Sequence, residues 1–198
     1  MMKIYKLSLC EITESDLNIW FDAMSGERKE EVCRLLNPAK RACKIAADRL
    51  CKTAVSEFCG CRYKNIKIKK NEHGKPFAEN LPVFFSMSHS GNFIVCAVSD
   101  NEIGIDIEKI RPINLKAAAK FATPEETDYI NSSSNGFFEI WTLKEAYFKC
   151  IGTGLGTDIK KVSFEITTNK IICSDKAYNC SFADIESGYI CSVCQKIK

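Results

Sequence analysis

The chain has 198 residues, of which 45% are apolar and 27% charged, and its formal charge is +3. That composition leaves room for one substantial core or two small ones, and no apolar run reaches the roughly 20 residues of a membrane span. So small a charge, without an RRM, KH or zinc-finger pattern or a long basic stripe, argues against nucleic acid as a partner. No small-residue cleavage site follows the opening MMKIYKLSLCEIT, so the cytoplasm is the expected compartment.

In chain order, Lys3 to Cys10 alternates as a strand. Ser15 is placed to cap a short helix carrying Leu17, Trp20 and Phe21, and Glu27 to Leu36 forms a second helix with acids in its first turn. Asn37-Pro38 supplies a cap and a proline at the first helical position. The helix it opens runs to about Phe58, with Cys43, Ala47, Leu50, Ala54 and Phe58 at helical spacing. Tyr63 to Lys70 reads as a strand followed by a turn at Asn71 to Gly74, and Val83 to Ser88 and Phe93 to Ser99 pair across Gly91-Asn92. Ile103 to Glu108 is a strand. Thr123-Pro124-Glu125-Glu126 opens a helix, and a serine-rich stretch precedes another helix from Phe137 to Ile151. Val162 to Thr167, Tyr178 to Ile185 and Tyr189 to Gln195 close the chain as strands.

This order, strand, helices, three strands, and then the same again, predicts an α+β fold of two similar halves, residues 1–102 and 103–198, with a site in the cleft between them. The chain holds twelve cysteines scattered through the helix and strand patterns, without metal-ligand spacings near a histidine, so they are expected as reduced core residues.

Four segments carry candidate chemistry. In Gly104-Ile105-Asp106-Ile107-Glu108 the isoleucines share one strand face and the two acids the other, their Cα atoms about 6.6 Å apart. Both carboxylates can reach one magnesium ion, which favours one or two carboxylates with phosphate oxygens; a half-buried strand showing acids to solvent is the alternative. In Trp141 to Lys149, Glu145 and Lys149 share a helical face, either as an exposed ion pair or, because the helix is apolar on most sides, as buried charges awaiting a metal and a phosphate. Ser86 to Gly91 sets His89 among serines that can donate to an anion, or else in a surface loop. Lys40, Arg41 and Lys44 crowd a helix start, where they suit a phosphate or form a solvated basic face.

Taken together, FSMSHSGNF, GIDIE and WTLKEAYFK, with Gly74-Lys75-Pro76 upstream, resemble the phosphopantetheinyl transferases of the surfactin-synthetase-activating type. The likeness runs from about Lys40 to Leu155. It implies that family's fold, two pseudo-symmetric α+β halves, each a small mainly antiparallel sheet packed on a long helix. It also implies transfer of the 4′-phosphopantetheine group from coenzyme A to a serine of an apo carrier protein. Carried onto these residues, it implies Mg²⁺ among Asp106, Glu108 and Glu145, with Asp106, Glu145 and Lys149 catalytic. Lys149 would oppose the pyrophosphate, Ser88 and His89 would hold a phosphate, and Lys75 would lie beside the adenosine end. Arg28, Arg41 and Lys44 are phosphate candidates by position. Either Glu125 or Glu126 would match a further acid, and the protein would act as a monomer. A coenzyme A-binding module without transfer, or a magnesium-dependent phosphohydrolase, would use the same residues.

Overall fold

The computed structural model describes residues 1–154 and 159–197; Leu155, where the motif likeness ends, falls outside them. Ten strands and five α-helices are described. The strands are β1 Met2–Ser8, β2 Ile68–Lys70, β3 Pro76–Ala78, β4 Phe84–Ser90, β5 Phe93–Ser99, β6 Ile103–Lys109, β7 Phe164–Ile166, β8 Ile171–Cys173, β9 Tyr178–Phe182 and β10 Tyr189–Lys196. The helices are α1 Glu14–Asp22, α2 Gly26–Cys33, α3 Pro38–Cys59, α4 Pro124–Ser132 and α5 Gly136–Ile151.

Helix α3 starts where its sequence says it should. The Asn37 side chain accepts from the Lys40 N–H, Pro38 fills the first turn, and Gly60 ends the helix in the left-handed region at φ 64°. Helix α1 is capped by Thr13 rather than Ser15, because Asp16 returns the bond to the Thr13 N–H and completes a reciprocal box. Two strand expectations need correction. Tyr63–Asn65 forms a 3-10 turn instead of a strand, its ring drawn onto α3 by Arg49, whose guanidinium lies 4.8 Å from the ring centroid. The Val162 to Thr167 strand shortens to β7, which pairs with the unanticipated β8.

Strands β1, β5 and β4 form one antiparallel sheet, and β6, β10 and β9 form a second, each in that order. Along β5 the alternation divides the core. Ile94, Cys96 and Val98 meet Ala46, Leu50, Cys51 and Val55 of α3. Val95 and Ala97 instead face Ile103, Ile105 and Ile107 of β6, which fill the space between the sheets. Helix α5 covers the other face of β6 and β10, with Leu143, Ala146 and Cys150 packed on Cys194.

Gly104 sets how close that helix comes. A Cβ there would lie 1.9 Å from the Ala146 carbonyl oxygen and 2.5 Å from the Cys150 nitrogen. Both obstacles are backbone, so a side chain would force α5 off the sheet. Gly104→Ala should therefore cost at least about 3 kcal/mol, beyond ordinary overpacking, read as a lowered urea midpoint at unchanged slope.

Candidate active site

The acids on β6 take the face away from its isoleucines, and α5 lies over that face with Glu145 and Lys149. Asp106 is 5% exposed. Its Oδ1 accepts from the Lys149 Nζ at 2.6 Å and from the Ser88 hydroxyl at 2.6 Å, and Lys149 also donates to Ser88 Oγ at 3.1 Å. Its Oδ2 is buried without a hydrogen-bond partner among the described residues. Burial raises the Asp106 carboxyl above its usual range, against the pull of Lys149.

Glu145 is pushed up to about 7, first by burial and then by the negative charge of Asp106, with Lys149 opposing and Glu108 adding. Glu108 accepts at one oxygen from Ser90 Oγ and from Arg111 Nη1, both at 2.9 Å. Three carboxylates therefore repel one another around one ammonium and a guanidinium.

Ser86, Ser88 and Ser90 share a face of β4 that meets the free edge of β6. The Ile105 N–H donates to Ser86 Oγ at 3.2 Å and the Lys109 N–H to Ser90 Oγ at 3.0 Å. Beside this seam lies a cavity of about 260 Å³ lined by Gly74, Lys75, Met87, Phe148, Lys149 and Gly152. The Lys75 ammonium donates to the Cys150 carbonyl at the end of α5.

The candidate ligand trio Asp106, Glu108 and Glu145 is brought to one region but is not closed. Among the described residues no three His, Cys, Asp or Glu side chains converge as a metal-ligand set. The reason is local: Lys149 already holds Asp106, and Glu108 is turned toward Arg111 and Ser90. The donor set still fits a hard divalent cation, since it offers carboxylate oxygens, one of them a buried orphan, in a spot crowded with negative charge.

Other expectations change. Strand β4 continues to Ser90, so His89 alternates to the face opposite Ser88 and stands exposed. Arg28 and Lys44 are drawn into ion pairs. Arg28 bonds Glu31 at 2.8 Å and the buried Asp48 at 3.3 Å, and Lys44 reaches Glu31 at 2.8 Å. Lys44 and then Lys70 hold the Glu31 carboxyl down to about 2, against the effect of burial. Arg41 is exposed.

Glu125 is exposed, whereas Glu126 is 1% exposed and accepts from the Phe164 N–H and from the Lys144 ammonium, each at 2.9 Å. Lys144 donates further to the Ile159 and Val162 carbonyls, at 3.1 and 2.6 Å. Arg111 went unrecognised in the sequence, although it follows Glu108 by three, and Ser90, read there as a donor to an anion, instead bonds Glu108.

A cleft that gathers carboxylates, an ammonium and hydroxyls beside a cavity suits transfer of a charged, phosphate-bearing group. The comparisons agree. Residues 102–194 match the 4′-phosphopantetheinyl transferase superfamily, and residues 11–101 match the 4′-phosphopantetheinyl transferase N-terminal family. The 4′-phosphopantetheinyl transferase gsp of Aneurinibacillus migulanus is 33% identical, over 93% of this chain and 81% of that one. The 4′-phosphopantetheinyl transferase Sfp of Bacillus subtilis strain 168 is 29% identical, over 98% and 92%. A holo-[acyl-carrier-protein] synthase structure from Thermotoga maritima aligns with TM-score 0.41 and 22% identity, over 49% of this chain and 64% of that one, too slight a match to bear on function. The chain belongs to the 4′-phosphopantetheinyl transferase family.

Two outcomes follow from these charges. Because Glu145 is held at about 7, above the roughly 4.3 of an unfolded glutamate, folding favours its protonated form. Stability present in acid is then lost as pH rises from about 4.5 through 7. The metal-free protein's urea midpoint should fall between about pH 5 and 8, and Glu145→Gln should flatten that fall. Lys144→Met leaves Glu126 buried without its counter-ion and should cost about 3–5 kcal/mol in denaturant melts, while pairing it with Glu126→Gln should recover part of the loss.

Proposed function

We propose that this protein transfers the 4′-phosphopantetheine group of coenzyme A to a serine of an apo carrier protein and releases 3′,5′-ADP. What carries the reading is the arrangement at Asp106. One of its oxygens is held by Lys149 and Ser88, the other is buried with no partner among the described residues, and Glu145 stands beside it at about 7 in a member of this family. Of the two halves, 1–102 supplies Ser88 and the wall at Lys75, and 103–198 supplies the acids and Lys149. Since one chain provides both sides of the cleft, the protein acts as a monomer, and the cytoplasm is its compartment. No described helix is long and apolar enough to cross a membrane.

Asp106, Glu108 and Glu145 are the residues that would hold Mg²⁺, which when bound supplies Lewis-acid polarisation of the pyrophosphate oxygens. Lys149 opposes the charge that develops as the β-phosphorus bond to the leaving group breaks. Glu145 accepts the proton of the carrier serine, and a value of about 7 suits a base working near neutral pH. Arg111, paired with Glu108 at the mouth, and the exposed Arg41 add positive charge that can meet an acidic carrier.

The test is mass spectrometry of an apo carrier after incubation with coenzyme A. Transfer raises the carrier mass by roughly 340 Da, a figure that presumes the assigned chemistry. The gain should need magnesium and should be abolished in Asp106→Ala and in Glu145→Gln, both still folded by circular dichroism. Breakdown of coenzyme A without a carrier would instead make the protein a phosphohydrolase, and binding without either product would leave a coenzyme-binding module.

A further inference from the structure

The most obvious cysteine spacing near the end of the chain joins the wrong pair. Cys191 and Cys194 stand as CxxC on β10, but a strand turns residues three apart to opposite faces. Cys191 packs with the isoleucines of β6, whereas Cys194 packs on the other side with Cys150, Cys173 and Cys180. The partner of Cys194 lies across the sheet.

Cys194 stands directly opposite Cys180 in the antiparallel ladder of β10 and β9. The Ala183 N–H donates to the Cys191 carbonyl and the Ile197 N–H to the Ala177 carbonyl, so 183 with 191 and 177 with 197 are hydrogen-bonded pairs. Alternation then makes Cys180 and Cys194 a non-hydrogen-bonded pair, with Cα atoms about 4.5 Å apart and side chains close. Disulfides span Cα separations of about 4.4 to 6.8 Å, and this pair falls inside that range at its short end. The ladder register fixes both backbones. Cys173 and Cys150 touch the pair through side-chain packing alone.

The surroundings make Cys180 the first to react. Strand β9 is five residues long and ends its sheet, and Asn179, Ser181 and Phe182 around Cys180 are exposed. Short edge elements open locally more readily than the middle of a sheet. The thiols of Cys173 and Cys194 both donate toward the Cys180 sulfur, which lowers Cys180 from its usual range against the effect of burial.

We propose that Cys180 and Cys194 are a site of reversible disulfide formation, closed by a peroxide and fastening β9 to β10. Local opening of β9 admits the peroxide. The Cys180 thiolate attacks one peroxide oxygen and becomes a sulfenic acid. The O–O bond breaks, and the second oxygen leaves as hydroxide, which takes up the proton that Cys180 gave up and becomes water. The Cys194 sulfur then displaces the sulfenic OH: the S–S bond forms, the S–O bond breaks, and the OH leaves with the Cys194 proton as a second water. Two thiols are oxidised and one peroxide is reduced. A thiol reductant reopens the pair by exchange, so in a reducing compartment the bond is transient.

The test treats the whole folded protein with hydrogen peroxide, unfolds it, blocks the remaining thiols with iodoacetamide, and digests it with trypsin and a glutamate-specific protease. These cuts part residues 177–186 from 187–196, so the bond is read by mass spectrometry as two joined peptides with Cys191 alkylated. Dithiothreitol should separate them. In the oxidised protein, amide exchange at 178–182 should slow by roughly tenfold or more, as closing a loop of this length implies. Cys173→Ala should keep the link and Cys194→Ala should lose it. The mapping is made on the wild type, so it decides the question whether or not either variant folds. Cys180 and Cys194 both still alkylated, at peroxide doses that oxidise the exposed Cys10 and Cys33, would overturn the proposal. So would a bond from Cys180 to Cys173, or from Cys194 to Cys150 or Cys191. A Cys180–Cys194 bond that leaves exchange at 178–182 unchanged would overturn the fastening of β9.

Discussion

The site exists because β6 and α5 touch backbone to backbone at Gly104, where the helix carbonyl of Ala146 occupies the place of a side chain. That approach lays Asp106 and Glu108 under a helix whose own Glu145 and Lys149 point the same way. The contact brings like charges together in a poorly solvated place. The consequence is written in the titration of Glu145, displaced to about 7 by burial and by the neighbouring carboxylates. Lys149 offsets part of this repulsion. The negative charge that remains is what the proposed magnesium ion would neutralise.

The seam between the halves is made with side chains as well as by apolar packing. Strand β4 presents three serines at alternate positions to the edge of β6, and two of them satisfy N–H groups that a further strand would otherwise take. Ser88 and Ser90 also bond the two acids, so the groups that join the halves are the groups that aim the carboxylates. The second core is filled with sulfur. Cys150, Cys194, Cys180 and Cys173 form a chain of thiol contacts in the interior, and all twelve cysteines are free. They serve there as small apolar residues.

The sequence carried the fold wherever local rules suffice. The α3 boundaries follow from Asn37, Pro38 and Gly60, and the acids of β6 share a face because strands alternate. It was silent or misleading where a distant contact decided the outcome. Nothing near Tyr63 announces that Arg49 draws the ring onto α3, and nothing near Arg28 or Lys44 reveals that Glu31 engages both. The strand was expected to end at Ser88 and runs two residues further, which carries His89 into it on the face opposite Ser88. The motif likeness placed the acids and Lys149 in one cleft, but it could not show that Lys149 lies against Asp106 rather than free.

Lys144 and Lys149 show how buried charge separates structure from function. They stand little more than a turn apart on one helix, and each pairs with a buried carboxylate. Lys144 has three acceptors, Glu126 and the carbonyls of Ile159 and Val162, and Glu126 in turn accepts from the N–H groups of Thr123 and Phe164. Such a network leaves no capacity for a ligand, and its effect is to tie α5 to α4 and to the strands that follow. At Asp106 the accounting stays open: one oxygen has no partner, Glu145 makes no hydrogen bond among the described residues, and both acids bind protons more readily than free ones. An unsatisfied buried carboxylate costs stability. The fold satisfies Lys144 fully and leaves Asp106 and Glu145 incomplete, the contrast expected if the proposed ligands complete that part of the cleft.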